Sequence, residues 1–236
     1  MKRFYGSVAL GREQAGFTVL LDGRPVRTPA RLVLAVPTEE LAEAVAAEWR
    51  QQGDEIDAQA MPLTRLATTA VDLMPARRGD AVAEAAEYAA TDLLCYRATG
   101  PAFLAQRQAE AWQPWLDWAE RQHDAKLVAV SGVMPAAQSP TALRALRAAV
   151  ERLDPWRLVG LHAAVALTGS LVLGLALEHG ALAADTAFEL ATLDERFEIE
   201  QWGEDAEQAA RLARRRADLL AAGGFLALLQ PAAGTR

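Results

Sequence analysis

The run LVGLHAAVALTGSLVLGLAL, Leu158 to Leu177, constrains the fold of this 236-residue chain more than any other stretch. Its length is close to the roughly 20 apolar residues that cross a bilayer, so it must either enter lipid or be wrapped by the rest of the protein. His162, Thr168 and Ser170 are polar positions inside it, and the segments on both sides are amphipathic and need an apolar surface to pack on. We read it as one buried central helix of a helical domain, with no integral membrane insertion. A membrane-anchored subunit is the competing reading that fractionation would separate. Ala166, Ser170 and Gly174 recur at four-residue steps, which lets neighbouring helices approach closely but occurs in membranes as well.

A buried helix of this length needs many partners, and a hydrophobic fraction of 52% supplies them. The first third of the chain is different in kind. GFTVLLDGRPVRTPARLVLAVP holds two β-branched runs, Phe17 to Leu21 and Leu32 to Val36, separated by Asp22-Gly23 and two prolines. Asp-Gly marks a tight turn, with Gly23 its structural residue, so a small antiparallel β unit is expected. At Pro37-Thr38 the period changes. Thr38 is a helix N-cap, and Leu41, Val45 and Trp49 follow at four-residue steps, to a stop near Gly53.

From Pro62 onward the patterning is helical. Helices are expected over Leu63 to Asp72, Asp80 to Arg97, Leu104 to Gln122 with a break or kink at Pro114, and Thr141 to Leu153. The central helix follows, stopped by Gly180, then a helix from Ala184 to Trp202 and a last one from Asp205 to Ala222. Strands first and helices after describe an α+β fold with segregated parts. The division falls near residue 58, giving a β domain with one helix over 1–58 and a helical part over 59–236.

Most chemistries are poorly provided for. A net charge of −7 argues against binding nucleic acid. The single Cys95 cannot form an internal disulfide or a thiolate metal cage. His123, His162 and His179 lack metal-ligand spacing, so no metal and no cofactor is expected. There is no phosphate-loop or dinucleotide-binding pattern; Gly223-Gly224 reads as a helix-end pair, and Gly169-Ser170 lies inside the apolar helix, where a nucleophile would be shut away. The N-terminus, MKRFYGSVAL, turns polar within a few residues and is not a signal or transit peptide, which points to a cytoplasmic protein of bacterial type.

The carboxylates remain. FEIEQWGED, Phe197 to Asp205, crowds acids around one tryptophan, and Asp194, Glu195 and Glu198 share a sector of the same helix, with Trp202 one turn on. Periodicity alone favours a solvated helix face. Phe197, Ile199 and Trp202 cannot all lie on one inner stripe, however, and an aromatic ringed by charge has the composition of a protein-binding hot spot. A small-molecule enzyme using acids of the Asp194 to Asp205 segment as general acid and base is the alternative function. Acid and aromatic meet twice more. Glu48-Trp49 ends the first helix, and Tyr88, Asp92 and Tyr96 recur along the third; Asp92 on an apolar face must be paired, with Arg97 or Arg107, or lie at an interface. Trp112, Trp115 and Trp118 are assigned mainly to packing.

Eight blocks, KRFYGSVAL, LDGRPVRTPA, AAEWRQQ, MPLTRLATTAVD, YAATDLLCYRA, RQAEAWQPWLDW, GSLVLGLAL and LDERFEIEQWGED, occur in an order that resembles the Atp-twelve family of ATP synthase assembly chaperones. The resemblance runs from Lys2 to Leu229. It implies a small β domain followed by an orthogonal helical bundle. It also implies a chaperone, not an enzyme, that binds the free alpha subunit of the catalytic sector and keeps it from aggregating until a beta subunit replaces it, using no nucleotide or metal. Such a chaperone is expected to be a monomer when free. The family's EW-x-x-Q block falls on Glu48, Trp49 and Gln52, and its acidic Trp-Gly block on Asp194, Glu195, Trp202 and Gly203. The family commonly has Glu where Asp194 stands and Gln where Glu198 stands. The expected partner-binding set is Asp194, Glu195, Glu198, Trp202, Glu48, Tyr88 and Asp92, with Trp49, Gly203 and Gly23 structural.

Overall fold

Strand β1 (Val8–Glu13) pairs antiparallel with β2 (Gly16–Leu21), Val8 opposite Leu21 and Glu13 opposite Gly16. The computed structural model describes residues 1–132, 134 and 136–230. After β2 the chain reverses through Asp22 and Gly23, with φ of 48° and 78°, into β3 (Arg24–Pro25). Two left-handed residues in succession are what a two-residue hairpin requires, and glycine accepts that conformation without strain. The Asp22 carboxylate also accepts the backbone N–H groups of Gly6 and Ser7, which holds its pKa below the usual range. Strand β4 (Ala35–Val36) closes the sheet against β2, Val36 opposite Phe17.

Thr38 then caps α1 (Glu39–Arg50), its side chain accepting the Leu41 N–H. The helix lays Leu41, Ala42, Val45, Ala46 and Trp49 against the sheet. Pro62 occupies the first turn of α2 (Pro62–Asp72), where its missing N–H costs nothing. The remaining helices are α3 (Met74–Glu87), α4 (Ala102–His123), α5 (Pro140–Glu151), α6 (Pro155–Thr168), α7 (Leu171–Glu178), α8 (Ala184–Ala191), α9 (Leu193–Trp202) and α10 (Ala206–Leu228). A two-residue parallel pair, β5 (Tyr96–Arg97) with β6 (Val130–Ser131), is the one sheet contact among the described residues of the helical part. The α+β order is therefore as expected.

Several boundaries differ from the sequence reading, each for a local reason. The apolar run is two helices, not one. Gly169 leaves α6 with φ 72° and donates its N–H to Val165, and Ser170, in extended conformation, starts α7 by accepting the Leu173 N–H. No helix among the described residues is long and apolar enough to cross a membrane. The helix expected over Asp80 to Arg97 begins at Met74 and stops at Glu87, followed by two short 3₁₀ turns, Tyr88–Thr91 and Leu93–Cys95. The segment expected as one helix from Ala184 to Trp202 breaks at Thr192, whose hydroxyl donates to the Phe188 carbonyl. Pro114 lies on the exposed side of α4 and does not divide it. Gly223 and Gly224 lie inside α10: a Cβ on Gly223 would sit 2.7 Å from the Ala184 Cβ, so this glycine lets α10 approach α8.

Buried side chains form two clusters. One joins the sheet, α1 and the start of α2; the other fills the bundle around α6 and α7. Residues from α10 serve both, with Phe225 in the first and Leu219 and Leu226 in the second. All of α7 is buried, and it packs on α6 closely enough that a Cβ at Gly174 would lie 2.5 Å from Val165 Cγ2. Val165 is β-branched and fully buried, so it has little room to turn away. Gly174→Ala is therefore expected to lower unfolding free energy by about 2 kcal/mol, read from urea titration, despite alanine's better helix propensity.

Candidate partner-docking site

Helix α9 is an unusual element because only Leu193 and Phe197 of its ten residues are buried. Burial of two side chains cannot by itself orient a helix, so its polar contacts matter. Asp194 accepts from Gln108 Nε2 at 2.7 Å, and Gln108 is itself buried, its Oε1 accepting the Ala98 N–H. Glu195 pairs with Arg215 of α10 at 2.8 Å. Glu200 makes a forked pair with Arg107 of α4, which holds the carboxyl below its usual pKa. Phe103 meets Phe197 edge-on with ring centroids 5.2 Å apart.

The C-terminal end of α9 is open. Trp202 is 78% exposed, the most exposed aromatic among the described residues. One turn before it stands Glu198, and just after it Gly203, with φ 87°, ends the helix and is followed by Glu204. Neither Glu198 nor Glu204 belongs to an ion pair among the described residues, and Asp205 caps α10 through the Gln208 N–H. Behind Trp202, between α9 and α10, a groove of about 410 Å³ has Ile199, Ala209, Leu212 and Phe188 as its apolar lining and Arg196, Arg216, Glu200 and Glu204 as its rim.

The expected site residues therefore separate. Trp202, Glu198 and Gly203 lie together at the exposed end of α9. Asp194 and Glu195 are half-buried and hold internal partners. Glu48 is elsewhere: its carboxylate accepts the N–H groups of Leu63 and Thr64 and the Thr64 hydroxyl, capping the start of α2. Tyr88 is half-buried against the bundle core.

Asp92 corrects the expectation most clearly. It is fully buried, and it is paired with neither Arg97 nor Arg107. Its carboxylate accepts the N–H of Leu94 and, across the fold, the N–H of Val172 at the start of α7, both at 3.1 Å. A surface for a partner cannot include it. Trp49 is buried, edge-on to Tyr5 at 5.7 Å between centroids. Gln108 and Arg215 are the site residues the sequence did not announce, since their partners lie 86 and 20 positions away and no periodicity links them.

As a catalytic pair, Asp194 and Glu195 are badly placed, because each is already engaged by a protein donor. Among the described residues no group of three His, Cys, Asp or Glu side chains is arranged to hold a metal ion. What the geometry provides is a display surface: one large aromatic, two carboxylates outside any ion pair among the described residues, and an apolar groove, on a short helix held by polar contacts to α4 and α10.

Comparison with known proteins gives the family. A family model described as ATP12 chaperone protein matches residues 2–120. The mitochondrial protein atp12 of Schizosaccharomyces pombe is 23% identical over 226 residues, covering 88% of this chain and 76% of that protein. The crystal structure of Atp12 from Paracoccus denitrificans matches with a TM-score of 0.92 and 44% identity, covering 97% of this chain and 98% of that one. A protein of Agrobacterium tumefaciens matches with a TM-score of 0.92 and 39% identity, over 97% of this chain and 86% of that one. By the family match and by a relative of the same fold along almost its whole length, the chain belongs to the ATP12 chaperone family.

Proposed function

We propose that this protein assists assembly of the ATP synthase catalytic sector by binding the free alpha subunit and preventing its aggregation until a beta subunit takes its place. It does so without catalysis, nucleotide or metal, as a cytoplasmic bacterial protein that is monomeric when free. Membership of a chaperone family supports the general role. The observation that carries the docking assignment is Trp202, 78% exposed at the end of α9 between Glu198 and Glu204, neither of which is in an ion pair among the described residues. An exposed indole of this kind is an anchor in search of an apolar pocket, and Glu198 and Glu204 favour a partner with basic or amide groups around that pocket. Asp194 and Tyr88 belong to the proposal as supporting residues, the first through its contact with Gln108, the second as a rim of the bundle. The division at residue 58 is part of it too, with the core of the sheet and α1 extending past that point to Met61, Ala67 and Phe225.

The test is co-expression with the cognate alpha subunit, scored by solubility of that subunit and by co-purification. Trp202→Ala is expected to reduce capture about tenfold or more while leaving the melting temperature unchanged, because the indole contributes little to the folded core. Failure of the parent chain to solubilise or retain the alpha subunit would remove the proposal. Full capture by Trp202→Ala would move the docking surface elsewhere.

A further inference from the structure

The side chain that holds the first turn of α9 to α10 makes more contacts than an ion pair needs. Arg215 donates from Nε to the Leu167 carbonyl at 2.7 Å, from Nη1 to Glu195 Oε1 at 2.8 Å and from Nη2 to the Ala191 carbonyl at 3.3 Å. Leu167 lies in the last turn of α6, and Ala191 is the last residue of α8. One guanidinium thus takes up unsatisfied carbonyls at two helix ends and reaches the first turn of a third helix. Cations are favoured at helix C-termini, and the donors of a planar guanidinium, spread over three nitrogens, reach acceptors on separate helices that the single nitrogen of an ammonium would have to reach from one point. The pair is mostly shielded, with side-chain exposures of 26% for Arg215 and 30% for Glu195. The Thr192 break lies between Ala191 and Glu195, so the fork spans the joint about which α9 would swing.

We propose that Arg215 is a positioning residue for the docking surface, and that Glu195 acts through it, not by touching the partner. Glu195 supplies the acceptor that keeps the fork closed; the fork sets the angle of α9 and with it the place where Trp202 is presented. The proposal rests on the docking reading for its binding arm only.

The experiment uses the full chain and two readouts: amide hydrogen exchange in peptides covering 190–203, and capture of the co-expressed alpha subunit. Arg215→Lys and Glu195→Lys are expected to speed exchange across α9 about tenfold or more, with the sheet and α1 changing less than about twofold, and to weaken capture by a similar factor. Glu195→Gln keeps an acceptor for Nη1 and is expected to match the parent in both. If Glu195→Gln loses capture while α9 exchanges at the parent rate, Glu195 meets the partner directly and the proposal is overturned. Parent-like exchange and capture in Arg215→Lys would overturn it as well. Should Glu195→Lys not fold, the other two variants decide. If the parent captures no alpha subunit, the docking reading has failed, and the exchange of Arg215→Lys alone supports or overturns the clamp.

Discussion

Trp49→Arg is expected to yield almost no soluble, cooperatively folded protein. Trp49 closes the cluster between the sheet and α1, and the hydroxyl of Tyr5 donates to its carbonyl at 2.7 Å. Removing the indole costs about 3–5 kcal/mol from lost burial and the void left behind. The incoming guanidinium adds a second cost, because a cation already stands on the neighbouring ring: Arg3 covers Tyr5, 4.6 Å from its centroid, and donates to the Gln52 carbonyl. A buried charge without a partner is costly. Together these reach the whole stability of an ordinary domain. Trp49→Phe, which keeps an aromatic edge toward Tyr5, should remain soluble. Soluble yield and thermal melting by circular dichroism check both, and a Trp49→Arg protein melting near the parent would contradict the assignment.

Asp92 should give the chain a pH dependence that can be isolated. Burial, the largest influence, pushes its carboxyl up from 3.8 to about 6, against hydrogen bonds from Ser170, Val172, Leu94 and Leu171 that pull it down. The folded pKa lies above the unfolded one, so the protonated form is favoured by folding. That contribution is complete below about pH 3.8 and is lost as pH rises through about 6. Its limit is on the order of 3 kcal/mol at 1.36 kcal/mol per unit. Between pH 5 and 7.5 the parent should lose on the order of 1 kcal/mol relative to Asp92→Asn, whose amide does not titrate. Urea unfolding of both chains at the two pH values gives the difference directly, and an equal change in both would show that Asp92 titrates normally. Asp92→Ala, which orphans the N–H groups of Leu94 and Val172, should cost about 3 kcal/mol at neutral pH.

The contrast between these two residues shows what the sequence could disclose. Trp49 lies at a four-residue step from Leu41 and Val45 after a Thr38 cap, so its burial follows from local pattern. The Asp22-Gly23 hairpin and the prolines that open α2, α5 and α6 are local in the same sense. Asp92 looks like a surface acid because the group it serves, the start of α7, is 80 positions away. Glu48 misleads for the same reason at a range of 15 positions. The α6–α7 break is hidden by uniform apolarity: where every position is buried there is no stripe whose interruption could be noticed. At the proposed docking site, the acids and the tryptophan could be seen in sequence. Which acids face outward could not, since that depends on Gln108, Arg107 and Arg215.

The sharing of α10 between the two cores has a consequence for biogenesis. Phe225 belongs to the cluster around Trp49, and the Thr38 hydroxyl donates to the Leu228 carbonyl, 190 residues later. The sheet and α1 leave the ribosome first, yet their inner layer lacks a wall until the last long helix has been made. At ribosomal speeds of roughly 5–20 residues per second, that interval lasts on the order of ten seconds or more. A member of a chaperone family thus passes through an unfinished stage of its own, with its earliest-made core waiting for its latest-made helix.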